Sequence, residues 1–351
     1  MATIISKPAT LSLAYNLTKF KISSTVEIRF KLSLGATLLI DESYTPDTNN
    51  EIEIDVTDIV LEQLTLSLPT TDLFIQGNIV KTFTALVDDI ESTFTCIRAG
   101  VENLTDTAAN WLKYNWLTWQ PQVKQVSSSQ PEWLSYYAQE TCYVKVKFYM
   151  SDNTTFTHAL ATLNAGNCYS INTQFAHIMS LHEGSKQGYY DVWVENGAAV
   201  VLSYAQRYIY KASELTDEVF LFENSLGGID SAALAGESIF APEVEHALAL
   251  YNEESEQIDG TAIRYFRKST GWKSKTEYKW LWEIIRAVRC FKVDAGVIRR
   301  ITIKESGLND SSMEDMKSFE FVYRIALDKG LLNIPRSADP LPENLEITTP
   351  E

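Results

Sequence analysis

Apolar and polar residues alternate with a period of two in several stretches of this chain, the spacing of strands with one wet face. The plainest case is 26–34, where Val26, Ile28, Phe30, Leu32 and Leu34 interleave with Glu27, Arg29, Lys31 and Ser33. Ile52, Ile54 and Val56 repeat the pattern against Glu51, Glu53 and Asp55, after a Pro-Asp-Thr-Asn-Asn turn at 46–50. A further ribbon over 79–99 bends near Asp88-Asp89. Residues 1–100 therefore read as a small β-sandwich.

Alternation returns at 142–149, with Cys142, Val144, Val146 and Phe148 facing one way and Lys145 and Lys147 the other. Asp152-Asn153 turns the chain into a strand at 155–163. Asn196-Gly197, between Tyr189–Glu195 and Ala199–Tyr210, predicts a tight type I′ hairpin, because both residues tolerate positive φ. These features make a second β domain over 138–212.

The period changes in the last third, so 213–332 reads as a mixed α+β region with one principal helix. Trp280, Leu281, Ile284, Ile285 and Val288 form an apolar stripe over 275–290, and Ser274 with Glu277 fits a capping box at its start. Strands are expected near 297–304 and 318–327. Residues 333–351 hold four prolines and four acids, and read as an extended tail pinned to a neighbouring subunit or left free. The fold class expected is mainly β: two sandwich-like domains followed by this mixed region.

Between the two β domains, 101–137 carries Trp111, Trp116, Trp119 and Trp133 around the polar run Ser127-Ser128-Ser129-Gln130-Pro131, and reads as a Trp-rich linker. Three fates are open to these rings: anchors of a protein–protein interface, core filling, or a platform for sugar rings.

Charge narrows the partners. The 351 residues sum to −16, which repels phosphate backbones and argues against nucleic acid. Yet 263–304 is rich in Lys and Arg while 41–62 and 214–259 are acid-rich, a distribution suited to head-to-tail pairing of copies. Trp272, Lys273, Lys275, Arg299 and Arg300 join the four linker tryptophans as candidate interface residues. No run of about 18 apolar residues exists, and the first residues lack the basic start and apolar stretch of a signal peptide, so membrane insertion and export are not expected.

Candidate chemistry is sparse. Cys96, Cys142, Cys168 and Cys290 lack metal spacing and read as buried free thiols. His177 and His182 are five apart, off a shared helix face, and His177 reads as a packed core residue. No GxSxG, HExxH, P-loop or GxGxxG motif occurs, so no catalytic residue, metal or cofactor is expected. Glu223 and Asp230 are the least unattractive carboxylates for glycoside hydrolysis, with a turn carboxylate bonded to backbone as the plainer role. Gly227-Gly228 reads as a turn.

Two stretches carry a family resemblance. Phe220-Leu221-Phe222-Glu223-Asn224-Ser225-Leu226-Gly227-Gly228-Ile229-Asp230 is a strand entering a double-glycine turn. Ser269-Thr270-Gly271-Trp272-Lys273-Ser274-Lys275 leads into the Trp280 helix, then Arg299 to Ile303 and the Phe319 to Ile325 strand. Over about 185–330 the chain resembles tail or baseplate structural proteins of phages and prophages of gut Bacteroidales, comparable in place to distal-tail components. The resemblance implies a non-enzymatic virion part, assembled in the host cytoplasm as a ring of copies beside other tail proteins. A glycan- or receptor-binding tail protein using the Trp/Tyr segment on a host glycan is the alternative, and a polysaccharide hydrolase a further one.

Overall fold

The computed structural model describes residues 2–181, 188–214, 217–251, 254–294, 296–307 and 315–327. Strands dominate it and the described helices are short, so the chain is mainly β. No helix among the described residues is long and apolar enough to cross a membrane.

The first sandwich comes from the predicted alternation. A three-stranded sheet (Thr3–Ser6, Phe20–Ser23, Glu51–Ile54) faces a five-stranded one ordered Leu11–Leu13, Ile90–Ile97, Val80–Val87, Ile28–Leu34 and Thr37–Tyr44. The inward residues close a core in which Phe20 meets Phe30 edge-on at 5.1 Å and Phe83 stacks on Phe94 at 5.6 Å. Asp88 takes φ +50° at the expected bend, bonding Arg29 N–H through its side chain at 2.9 Å. A short helix α1 (Thr57–Glu62), which the alternation did not announce, closes one end with Val60 buried.

The second sandwich sets a five-stranded sheet (order Val123–Val126, Gln206–Tyr210, Gly188–Asn196, Cys142–Met150, Thr155–Leu163) against a three-stranded one (Trp133–Ala138, Asn167–Asn172, Leu73–Ile75). Leu73–Ile75 crosses over from the first region to pair with Ile171–Tyr169. A helix α3 (Phe175–Ser180) buries Phe175 and Ile178 against the same core. The expected tight Asn-Gly hairpin is corrected. The Asn196 side chain accepts from Ala198 N–H and Val200 N–H, each at 3.0 Å, and the positive φ falls on Ala199 at +59°. The chain does reverse here, with Asn196 N–H on Val200 O at 2.9 Å and Glu195 paired with Val201, but through a longer turn than two residues, and regular pairing with Gln206–Tyr210 starts at Val192.

The third unit is a seven-stranded antiparallel sheet, ordered Ile229–Leu234, Glu218–Glu223, Cys290–Asp294, Val297–Gly307, Glu320–Ile325, Phe266–Ser269 and Ser238–Phe240. A helix (Lys275–Arg286) lies on one face, burying Tyr278, Trp280, Leu281 and Ile284 against Phe222 and Phe319. Its capping box is present in both directions, Ser274 and Glu277 each bonding the other's backbone N–H. The helix stops at Ala287, shorter than the stripe suggested, and Val288 is exposed beyond it. A two-stranded ribbon, Glu243–Tyr251 paired with Glu254–Ile263, leaves this sheet next to Ser238–Phe240.

The linker reading of 101–137 is corrected. Within it a helix α2 (Ala108–Tyr114) is capped by Thr107, whose Oγ1 accepts Asn110 N–H at 3.2 Å. Val123–Val126 pairs in parallel with Gln206–Tyr210, and Trp133–Ala138 pairs with Asn167–Asn172. Leu112 and Leu117 join Ile97, Tyr137, Cys168, Leu221 and Leu226 in a core drawn from all three units. Its backbone groups need partners and its apolar residues need cover, and both lie in sheets distant in sequence. Trp116, read as a candidate interface residue, is fully buried in the second sandwich, edge-on to Tyr136 at 5.5 Å with its indole N–H on Tyr204 O at 3.0 Å.

Trp116→Ala is expected to cost about 3–5 kcal/mol in chemical denaturation, as emptied aromatic core sites do. Trp119→Ala, three residues on, is expected to cost under about 1.5 kcal/mol, the scale of one hydrogen bond, because its ring stays half in solvent.

Candidate functional site: the cleft where three units meet

The turn Asn224–Gly228, between Glu218–Glu223 and Ile229–Leu234, is pressed against the other two units backbone to backbone. A Cβ on Gly227, whose φ is +79°, would stand 2.2 Å from Arg98 O, and one on Gly228 2.2 Å from Leu117 O. The double glycine is a turn, as read, and also the reason the three units approach so closely.

Beneath the turn lies Asp230, 1% exposed. Its carboxylate accepts from Thr118 Oγ1 at 2.7 Å, Asn224 Nδ2 at 2.9 Å and Trp280 Nε1 at 2.7 Å. Burial raises its pKa, and these donors work against that rise. Beside it, buried Lys124 bonds Glu132 at 2.5 Å, Ser231 O at 2.6 Å and Gln120 Oε1 at 2.9 Å, and its ammonium lies 4.9 Å from the Trp280 ring centre. Burial pushes Glu132 up to about 7, only partly offset by the Lys124 charge. Glu223 is clamped by Arg289 at 2.5 Å and Arg98 at 3.4 Å. Each of the two nominated carboxylates is thus held by donors from neighbouring segments, which is a structural arrangement.

Beside the turn opens a cleft of about 970 Å³, lined among others by Arg98, Glu102, Glu223, Asn224, Ser225 and Trp280. Trp111 and Trp119 form one wall, their centroids 6.1 Å apart and rings inclined at 58°. Trp119 donates its indole N–H to Ser225 Oγ at 3.0 Å. Ser225 is held in turn by Glu283, which accepts its N–H at 2.5 Å and its hydroxyl at 3.1 Å. Lys279, Glu283 and Arg286 of the Lys275–Arg286 helix also line it, at i, i+4 and i+7, one face of a helix. Tyr15 lies at one edge, passing over Gly100 so closely that a Cβ there would meet it at 2.5 Å.

The candidate interface residues thus separate into groups. Trp111 and Trp119 meet in the cleft, Trp133 is half-buried against the junction core, and Trp116 is interior. Trp272, 69% exposed, and Lys275 are at the surface. Lys273 is half-buried, bonding Ala233 O at 3.2 Å, with its pKa lowered chiefly by burial. Arg299 and Arg300 are exposed on Val297–Gly307, Arg299 4.0 Å from Asp294. His177 is half-buried at the surface, 3.8 Å from Asp72, rather than packed in a core, and His182 and 333–351 lie outside the described residues. All four cysteines are buried free thiols. The sequence reading passed over Lys279, Glu283 and Arg286 as a group, although their helical spacing was visible.

No family model matches the chain, and no curated protein matches it. Among solved structures, the Plexin A4 full extracellular region aligns at 9% identity and a TM-score of 0.19, over 93% of this chain and 39% of that one. The chain therefore spans well under half the length of that neighbour, and so low a score carries no argument about either fold or role.

Thr118→Val, which keeps shape and removes the hydroxyl from Asp230, is expected to cost about 1–3 kcal/mol in urea denaturation. Glu132 gives a pH signature. Its ordinary value is 4.5 and its folded value about 7, so its stabilising contribution is full below pH 4.5 and lost as pH rises through about 7. Denaturation midpoints of wild type and Glu132→Gln across that window should show the wild type declining more steeply with rising pH.

Proposed function

We propose that the chain is a non-enzymatic structural part of a multi-copy assembly, a tail or baseplate component as its sequence resemblance implies, docking through its third unit. The observation that carries this is the Glu243–Tyr251/Glu254–Ile263 ribbon. Two strands alone are marginal in water, and this pair has no third strand among the described residues. It nonetheless displays Val244, Leu248 and Ile263, at 50%, 64% and 39% exposure. Ile239 and Phe240 are exposed beside its root, on the edge strand of the seven-stranded sheet. Exposed apolar groups on an open edge mark a surface that another chain covers.

Charge supplies the partner. Glu243 and Glu245 are exposed acids on the ribbon, whereas Arg299, Arg300 and Lys275 are exposed basic residues of the same unit. Opposite patches on one chain favour head-to-tail contact between copies, and such a contact closes into a ring when its rotation permits. The interlocked junction suits this role, since a rigid block transmits the geometry of one contact to the next. Engagement of Glu223 and Asp230 in structural bonds weighs against the hydrolase alternative. In this reading the chain works in the virion tail, assembled in the bacterial cytoplasm beside other tail proteins.

Light scattering after size exclusion tests it. The wild type is expected to form a defined oligomer. Replacing 245–261 by a two-residue Asn-Gly turn, or making Arg299→Glu with Arg300→Glu, should release monomers whose thermal unfolding is unchanged. A wild type that is monomeric alone and with its neighbouring tail proteins would refute the proposal.

A further inference from the structure

We infer that the junction cleft is a binding site for an acidic oligosaccharide, one bearing carboxylates on its sugar rings. The inference does not rest on the assembly reading, since no residue of the ribbon lines the cleft. Three features of the cleft converge on this ligand class.

The first is a rigid apolar plane kept in water. Trp119 is 42% exposed, and its indole N–H is spent on Ser225, which Glu283 anchors through both backbone and hydroxyl. Held in this way, the ring loses little freedom when something stacks on it, which is how preorganisation improves affinity. A pyranose ring presents a face of C–H groups whose slight positive charge suits the negative face of an indole.

The second is Trp111, set at 58° to Trp119 with centroids 6.1 Å apart. Two inclined planes form a trough rather than a slot, suited to a chain of puckered rings and ill-suited to one flat heterocycle. The volume of about 970 Å³ lies at the upper end of small-ligand sites, roughly 300–1,000 Å³, and admits several sugar units.

The third is charge. Within a chain of −16, the cleft lining carries Lys279 and Arg286, both exposed on one helix face. Three acids line the cleft, Glu102, Glu223 and Glu283, against the three cations Arg98, Lys279 and Arg286, and Arg289, bound to Glu223 from behind, makes a fourth cation. The excess is therefore positive where a ligand would lie. Lys275, one turn before Lys279, extends the basic strip along the helix. Asn103 at the rim offers an amide, both donor and acceptor, for sugar hydroxyls.

Titration calorimetry and tryptophan fluorescence on the full chain, with tetragalacturonate and neutral cellotetraose as probes, test the inference. Saturable binding of tetragalacturonate is expected, with cellotetraose weaker. Trp119→Ala should weaken the acidic probe by roughly tenfold or more, the scale of one lost stacking contact, and Trp119→Phe should restore part of it. Lys279→Ala with Arg286→Ala should bring the acidic probe down to the level of the neutral one. Circular dichroism of each variant checks that the fold is retained. Absence of binding for both saccharides overturns the inference. So does hexaglutamate binding as tightly as tetragalacturonate with no effect of Trp119→Ala, an outcome that would make the cleft an acidic-peptide site.

Discussion

A single buried carboxylate holds the architecture in register. Asp230 stands on the edge strand of the third unit, yet its donors come from the 117–120 segment, the Asn224 turn and the long helix. Taking a charge out of water costs several kcal/mol, and only well-placed donors offset it. Any sliding of the 117–120 segment against the third unit would strip the Thr118 donor from Asp230 while leaving it buried. The Gly227-Gly228 turn works with this constraint, because only residues without Cβ allow the carbonyls of Arg98 and Leu117 to lie so close.

The surrounding pairs follow the same pattern. Lys124 reaches Glu132 and Ser231 O, and Arg289 reaches both Glu223 and the Leu66 carbonyl, each joining chain segments far apart in sequence. Buried ionic groups of this sort add less to net stability than their short distances suggest, since desolvation opposes them. Their effect here is to make one relative placement of the three units far better than its neighbours. That placement leaves the cleft open beside the turn, and the same links that set the joint also set its walls: Glu283 fixes Ser225, and Ser225 fixes Trp119.

Rigidity at the junction contrasts with the third unit's outer side. There the ribbon, the edge at Ile239 and Phe240, and Trp272 leave apolar surface uncovered. The block is closed where its own parts meet and open where another chain would meet it.

What the sequence by itself determined was local. The alternation at 26–34 and 142–149, the strand after the Asp152-Asn153 turn, the bend at Asp88 and the Ser274/Glu277 capping box depend on contacts within a strand's pleat, a turn or one helical turn, so residue order suffices to read them. The Asn196-Gly197 signal marked the reversal but not its turn type, because the Asn196 side chain accepts backbone N–H groups beyond it and the positive φ falls on Ala199. Tertiary structure alone decided which tryptophan is core and which is site. Trp116 and Trp119 sit three residues apart in similar surroundings, yet one enters the second sandwich and the other faces the cleft. Burial depends on which surfaces close over a side chain, and here these come from residues 88 and 106 positions away, Tyr204 for Trp116 and Ser225 for Trp119, whose arrival no short-range pattern encodes.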